Sequence, residues 1–375
     1  MIDEAHIRYV AQNFLVAGKF KSHSTIDTGH INNTFLVEYD IDGKTVPYLL
    51  QQINTEVFKN PDQLMANIVS VTSFLRDKII ASGGDPDRET LFVKPTFTGD
   101  NYFRDSDGHY WRLYNYIDNT FSFDSIESPE VFYNAGFAFG QFQRMLADFP
   151  SDKLYETIPD FHNTAKRYAA LRAAVELNAA GRADAVQEEI NFAIARKKDA
   201  FVLVDAIAAG TLPIRVTHND TKLNNILFDR DTNKGICIVD LDTVMPGLSL
   251  YDFGDSIRFG ANTAVEDEKD LSKVSLDLEL YENYVRGYLT TAGESLVPAE
   301  VTYLPFSAKL MTFECGMRFL TDYLNGDTYF RIHYPEHNLD RCHTQFALVA
   351  DIEKKYDSMM QITKNAYKEI CGKTL

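Results

Sequence analysis

The chain has 375 residues, 45% hydrophobic and 24% charged, with 37 basic against 54 acidic residues and a formal net charge of −17. That length has room for two lobes, each with its own core. The acidic surplus argues against nucleic acid or an anionic membrane surface as a partner, because both require a basic face. Four cysteines, Cys237, Cys315, Cys342 and Cys371, lie far apart without a C-x-x-C spacing. They suggest neither a zinc site nor a disulfide framework. The opening MIDEAHIRYVAQNF lacks a signal-peptide pattern, and no apolar run reaches the roughly 18 residues of a membrane helix. The expectation is a cytoplasmic protein, a monomer or weak homodimer.

In chain order, residues 4–16 have helical spacing, with Ile7, Val10, Phe14 and Leu15 on one side. The polar run Thr28-Gly29-His30-Ile31-Asn32-Asn33 precedes a strand over 34–40. Asp42-Gly43 is a hairpin signal, and 45–53 reads as the returning strand. A helix follows over about 62–81, with Leu64, Ile68, Val71, Leu75 and Ile79 on one stripe and Gly83-Gly84 as its stop. A second strand pair runs from about Tyr102 and through 109–117, turning at Asp107-Gly108. Two hairpins with a helix between them predict a small antiparallel sheet with a helix packed on it. Beyond Asp118 the patterns are mostly helical: 129–146, 163–176, 184–209, 267–293, 298–324 and 338–371. The fold class is α+β, with an N-terminal lobe over 1–117 and a C-terminal lobe over 118–375.

The densest polar chemistry lies between two apolar runs, in VTHNDTKLNNILF (216–228) and GICIVDLDTVMPG (235–247). Burying so many polar side chains is costly unless they have work to do. Phosphoryl transfer uses such a set: an Asp to accept the proton of the attacking hydroxyl, and an Asn and an Asp to hold magnesium on the phosphates. If 226–228 and 236–239 pair antiparallel, Asn225 and Asp240 end on the same side of the hairpin, within reach of one ion. An amide oxygen and a carboxylate suit magnesium. Asp220 then faces the acceptor hydroxyl. The triplet Asp252-Phe253-Gly254 mimics the metal-binding triplet of protein kinases. It lies off the hairpin, so Asp252 and Asp255 read as residues that brace the loop. Asp242 reads equally as a second ligand or a structural neighbour.

With these segments the chain resembles the aminoglycoside phosphotransferase and choline kinase superfamily, whose fold is protein-kinase-like. Within it, DTGHINNTFLV (27–37), YLLQQINTEVF (48–58), THNDTKLNN (217–225), ECGMRFLTDYLNGDTYF (314–330) and YPEHNL (334–339) resemble the narrower group of bacterial N-acetylhexosamine 1-kinases. The resemblance implies two lobes and ATP-dependent phosphorylation of the C1 hydroxyl of an N-acetylhexosamine, with ATP and the sugar as partners and Mg2+ as cofactor. It also implies Asp220 as base and as a contact to the sugar, and Asn225 and Asp240 as metal ligands. The nucleotide contacts implied are Gly29, Asn32, Asn33 and Gln51, with Tyr116 and Ile117 in the hinge 114–118. The sugar contacts are His30, Arg318 and Tyr329, with Asp322 and Asp327 as lesser candidates.

One departure stands out. Kinase-like folds place a Lys on the third strand, paired with a helix Glu; here those positions read Gln51 and, near it in the helix, Asn67. Losing both charges together avoids leaving either one buried and unpaired. The expectation is that Gln51 and Asn67 hydrogen-bond to each other. Two other functions stay open: a kinase for an aminoglycoside, an amino alcohol or another sugar, and a pseudokinase, which the missing pair motivates.

Overall fold

The computed structural model describes residues 2–26 and 31–375. Its chain forms two compact units: Met1–Phe121 with Asp148–Ile158 and Leu227–Met245, and Ser122–Ala147 with Pro159–Ile226 and Pro246–Leu375. Two segments from beyond residue 117 thus cluster with the N-terminal part of the chain.

The first unit begins with α1 (Glu4–Ala11), whose N-terminus is capped by the Asp3 carboxylate accepting from the His6 amide. Strands β1 (Lys19–Ile26), β2 (Asn33–Ile41) and β3 (Lys44–Ile53) follow, then helices α2 (Pro61–Ala81) and α3 (Pro86–Glu89). The strands β4 (Val93–Lys94), β5 (Phe103–Arg104), β6 (Tyr110–Asn115) and β7 (Thr120–Phe121) complete this stretch. The sheet runs β1-β2-β3-β6-β4, with β5 also on β6, and the pairs are antiparallel. Asp42 and Gly43 both take positive φ, 52° and 78°, as a two-residue hairpin that matches strand twist requires. Alternation then sorts the faces. Phe35, Val37 and Tyr39 of β2, Leu50 of β3 and Trp111 and Leu113 of β6 form one core with Ile7, Val10 and Phe14. The intervening residues Thr34, Gln51 and Arg112 form a cross-strand row on the other face.

Strand β1 has no apolar alternation to announce it: KFKSHSTI is polar along most of its length, as befits a partly exposed edge strand. Helix α2 matches its pattern, starting at Pro61 with Asn60 as cap and burying Leu64, Ile68, Val71, Leu75 and Ile79. A later hairpin, Ile226–Asp229 with Gly235–Ile238, adds to β7 through Thr120–Asp229 and Phe121–Phe228.

The second unit is mainly helical: α4 (Pro129–Met145), α5 (Thr164–Leu177), α6 (Gln187–Ala195), α7 (Asp199–Ala208), α8 (Ser249–Gly260), α9 (Leu278–Ala292), α10 (Pro298–Asn325) and α11 (His337–Cys371). The pattern over 184–209 is broken rather than continuous. Arg196-Lys197-Lys198 leaves nothing apolar to bury at that turn, and Arg196 turns instead to Glu353 at 2.7 Å. The pattern over 267–293 becomes helix only from Leu278, where the Asp277 side chain caps the Glu279 and Leu280 amides. An antiparallel-sheet unit and a mainly helical one give the expected α+β class. Among the described residues, no helix is long and apolar enough to cross a membrane.

Close helix approaches are set by glycines. A Cβ on Gly136 of α4 would meet the Tyr284 carbonyl of α9, and one on Gly254 of α8 would meet the Ser307 carbonyl of α10. The glycine of the kinase-like triplet is therefore a packing residue. Gly254→Ala is expected to lower stability by about 1–3 kcal/mol through overpacking, read as a reduced urea midpoint; an unchanged midpoint would contradict this packing role.

Candidate active site

The loop 217–225 is shaped by a single buried carboxylate. Asp252, at 1% exposure, accepts from the His218 amide at 2.9 Å, the Asn219 amide at 2.8 Å and Gln143 Nε2 at 2.9 Å. Its backbone carbonyl takes the Thr221 hydroxyl at 2.8 Å. Burial is the largest influence on the Asp252 carboxyl and pushes its pKa up, against the pull of His218 and these backbone donors. The His218 ring is held at the edges of Phe139 and Phe142, with centroids 5.8 and 6.2 Å away. Asn219 is bent into the left-handed region at φ 64°. Non-glycine residues take such angles chiefly where the surroundings impose them, often at functional loops. Asp252 is thus a brace, its oxygens committed to the loop.

In an extended segment, residues two apart share a side. Thr221 points into the core, and Asp220 and Lys222 point the other way, with Lys222 Nζ 2.9 Å from Asp220 Oδ1. Burial pulls the Lys222 pKa down, but the charge and hydrogen bond of Asp220 together with the charge of Asp255 more than restore it, so the net shift is upward and the lysine stays charged. Lys222 was not singled out from the sequence, although this alternation could have identified it. Asn225 Nδ2 donates to the Asp220 carbonyl at 2.8 Å. With its nitrogen so used, the amide presents its oxygen as the end suited to a hard cation.

Asp240 belongs to the first unit and also takes a left-handed conformation, φ 59°, ψ 58°. Two residues on, Asp242 is 3% exposed, and both of its oxygens are engaged. Oδ1 lies 2.5 Å from Arg112 Nη1, and Oδ2 accepts from Asn32 Nδ2 at 2.6 Å. The Arg112–Asp242 contact is one of opposite charges rather than an aligned hydrogen bond. Asp242 is a structural anchor.

The expected Gln51–Asn67 bond is not made. Gln51 Oε1 accepts from Arg112 Nε at 3.0 Å and Nη2 at 2.8 Å, and Gln51 Nε2 donates to Thr34 Oγ1 at 3.1 Å. Asn67 Nδ2 donates to the Tyr155 carbonyl at 2.7 Å and the Val244 carbonyl at 2.9 Å, while its oxygen takes the Tyr155 amide at 2.8 Å. A charged neighbour outcompetes an amide for Gln51. Arg112, missed in the sequence, is that neighbour.

Of the other nucleotide candidates, Gly29 and His30 lie outside the described residues. Asn32 Oδ1 takes the Asn54 amide at 3.0 Å, and Asn33 Nδ2 donates to Gln52 Oε1 at 2.6 Å. Tyr116 and Ile117 follow the end of β6. Tyr116 is exposed, and the Ile117 carbonyl accepts from Thr120 at 2.8 Å.

Arg318 and Tyr329 do come together. They line a cavity of about 200 Å³ with Arg167, Asp322, Phe330 and neighbouring residues, all in the second unit. The Arg318 guanidinium lies 5.9 Å from the Tyr329 ring and 5.5 Å from Phe330. Asp322, one of the lesser sugar candidates, is occupied otherwise. It accepts from the Thr328, Tyr329 and Phe330 amides and from Asn338 Nδ2, and so shapes the cavity wall. Asp327 pairs with Arg182 at 2.6 Å. One turn before Arg318, buried Glu314 lies 3.0 Å from His162 Nδ1. The His162 ring is 5.3 Å from that of Tyr251, the residue before Asp252, so a relay of side-chain contacts runs from Arg318 through Glu314 and His162 to the segment that braces the loop.

Two outcomes follow from these networks. Asp252→Asn is expected to speed hydrogen exchange at the His218 and Asn219 amides by roughly 10–100-fold, the equivalent of losing one charge-assisted bond; unchanged exchange would show that the loop does not depend on it. Burial raises the Glu314 pKa, but His162, Arg318 and Arg167 together bring it below its ordinary 4.5. Its stabilising contribution is therefore present above that value and lost as pH falls through the lowered one. Glu314→Gln should show a shallower decline of the urea midpoint than the unaltered chain as pH falls below 4.5.

The chain is similar to an aminoglycoside phosphotransferase from Alicyclobacillus acidocaldarius, at 12% identity and a TM-score of 0.61, covering 98% of this chain and 97% of that one. It is also similar to an ethanolamine kinase from Plasmodium vivax, at 16% identity and 0.53, covering 86% and 82%. A third is a spectinomycin phosphotransferase solved with ADP and spectinomycin, at 12% identity and 0.55, covering 91% and 94%. These likenesses are of fold. Residues 24–296 match the model of the phosphotransferase enzyme family. The chain belongs to the phosphotransferase enzyme family.

Proposed function

We propose that this phosphotransferase, a small-molecule kinase, transfers the γ-phosphoryl group of ATP to the C1 hydroxyl of an N-acetylhexosamine, N-acetylglucosamine or N-acetylgalactosamine. The observation that carries this choice is the charge of the cavity around Arg318. Two guanidiniums line it, Arg167 and Arg318, and its acidic lining residue, Asp322, is spent on backbone amides. Burial lowers the Arg167 pKa, and the charge of Arg318 lowers it further. The two guanidiniums outnumber the lining carboxylate, and buried Glu314, which pairs with Arg318, is not among the lining residues, so an ammonium group is disfavoured there. Ethanolamine and the aminoglycosides, named as substrates of similar folds, carry amines. A neutral sugar offers hydroxyl and carbonyl oxygens to guanidinium donors and a flat face to Tyr329 and Phe330. The C1 position and the N-acetyl group rest on the segments 217–225 and 314–330, which resemble the N-acetylhexosamine 1-kinases.

In this reading Asp220 accepts the proton of the attacking hydroxyl. A hemiacetal hydroxyl is more acidic than an ordinary alcohol, so a carboxylate suffices. Lys222 holds that carboxylate in place. The donor chemistry of the Asn225 amide oxygen and the Asp240 carboxylate fits magnesium, and these two residues would hold it. When bound, it supplies neutralisation of charge on the β- and γ-phosphates. Asn32, Asn33 and Gln51, with Gly29 and the hinge residues Tyr116 and Ile117, form the nucleotide side of the proposal. His30 joins Arg318 and Tyr329 on the sugar side. A charged side chain occupies the row beside Gln51, which removes the motive for a pseudokinase.

The test is release of ADP from Mg-ATP with N-acetylglucosamine, N-acetylgalactosamine, choline and kanamycin, with phosphorus NMR to locate the new ester. Turnover is expected with the N-acetylhexosamines, with the phosphate coupled to the C1 proton. Arg318→Ala should raise the KM for the sugar about tenfold or more while leaving the KM for ATP within about threefold, as loss of a charge-assisted contact predicts. Turnover of choline or kanamycin without the sugars would reject the proposal.

A further inference from the structure

The first unit retains a buried cation, one strand away from the usual lysine position. Gln51 of β3 and Arg112 of β6 are directly opposite in the ladder. The Gln51 oxygen takes two of the three guanidinium nitrogens, at 3.0 and 2.8 Å. That fixes the plane of the group, and Thr34 fixes Gln51 in turn. The third nitrogen is left to face Asp242 Oδ1 at 2.5 Å. On the far oxygen of Asp242 sits Asn32, at 2.6 Å. Asn67 of α2 holds the Val244 carbonyl at 2.9 Å. The two amides at the usual Lys and Glu positions therefore both act on the turn 240–244, Gln51 through Arg112 and Asn67 directly. Asp240 heads that turn in a left-handed conformation that needs support from its surroundings.

We propose that Arg112 is a positioning residue for metal binding: through Asp242 it holds the turn 240–244 in the shape that presents Asp240. Because Asn32 shares Asp242, the same carboxylate also ties that residue, immediately before β2, to the metal turn. The inference rests on the reading of Asp240 as a metal ligand.

The test uses the full chain with Mn2+ and ADP, following bound Mn2+ by electron paramagnetic resonance alongside the thermal midpoint without metal. Arg112→Gln removes the charge at similar size; Arg112→Lys keeps it. Arg112→Gln combined with Asp242→Asn removes both charges, so no orphaned ion is left to unfold the unit. The double variant is expected to fold and to bind Mn2+-ADP at least about tenfold more weakly, the usual effect of losing support behind a ligand. Arg112→Lys should stay within about threefold of the unaltered chain. A folded double variant with unaltered Mn2+ affinity would reject the positioning role and leave the pair purely structural. Asp240→Asn should abolish Mn2+-ADP binding; if it does not, the metal assignment itself falls, and this inference with it.

Discussion

A guanidinium buried to 1% exposure must be neutralised or the fold around it fails. In the first unit that requirement is met by Asp242. Burial pulls the Arg112 pKa down, and the charges of Asp242 and Asp240, with Tyr114, more than restore it. Removing one partner of a buried pair costs about 3–5 kcal/mol, because it strands the other charge. The pair therefore constrains everything that touches it: Gln51 and Thr34 on the sheet, Asn32 before β2, and the turn that carries Asp240. The amides at the usual Lys–Glu positions make sense once the cation is seen one strand over, since a second charge beside Arg112 would have no counter-ion.

One buried carboxylate of the second unit is satisfied differently. Asp252 is held by two backbone amides and a glutamine rather than by a cation. Amide donors are directional, so they fix the path of the chain as well as the charge. A loop meant to present Asp220 gains more from that than from a second lysine. A cation, Lys222, stands on the Asp220 side, where its charge keeps the carboxylate oriented. Cation and carboxylate thus have separate tasks in the two units: one pair anchors a turn, and one carboxylate shapes a loop.

Charge also distinguishes the cavity around Arg318 and Tyr329. The formal net charge of −17 would suit a cationic acceptor, and overall charge governs encounter more than fit. The local count is opposite in sign. Arg167 and Arg318 face one cavity while Asp322 is turned onto the loop 328–330, so in the proposed reading the choice of acceptor rests on terms that the bulk composition conceals.

What could be read along the chain was whatever is encoded by near neighbours. The hairpin at Asp42-Gly43, the stripe of α2 and the spacing Asp220–Asn225 with Asp240 beyond the apolar runs are all local periodicities or turn chemistries. So were the bracing role of Asp252 and the α+β order of elements. Strand β1 was silent because an edge strand has little apolar alternation, and helix 184–209 was read too long because periodicity does not register a run of cations. What only the tertiary structure decided was pairing. Gln51 meets Arg112 across 61 residues of chain because β6 lies next to β3 in the sheet, and Asp242 reaches Arg112 from a turn outside that sheet. Cross-strand register follows from the whole set of buried faces at once, and no local signal marks which of two polar residues will find a charge opposite it.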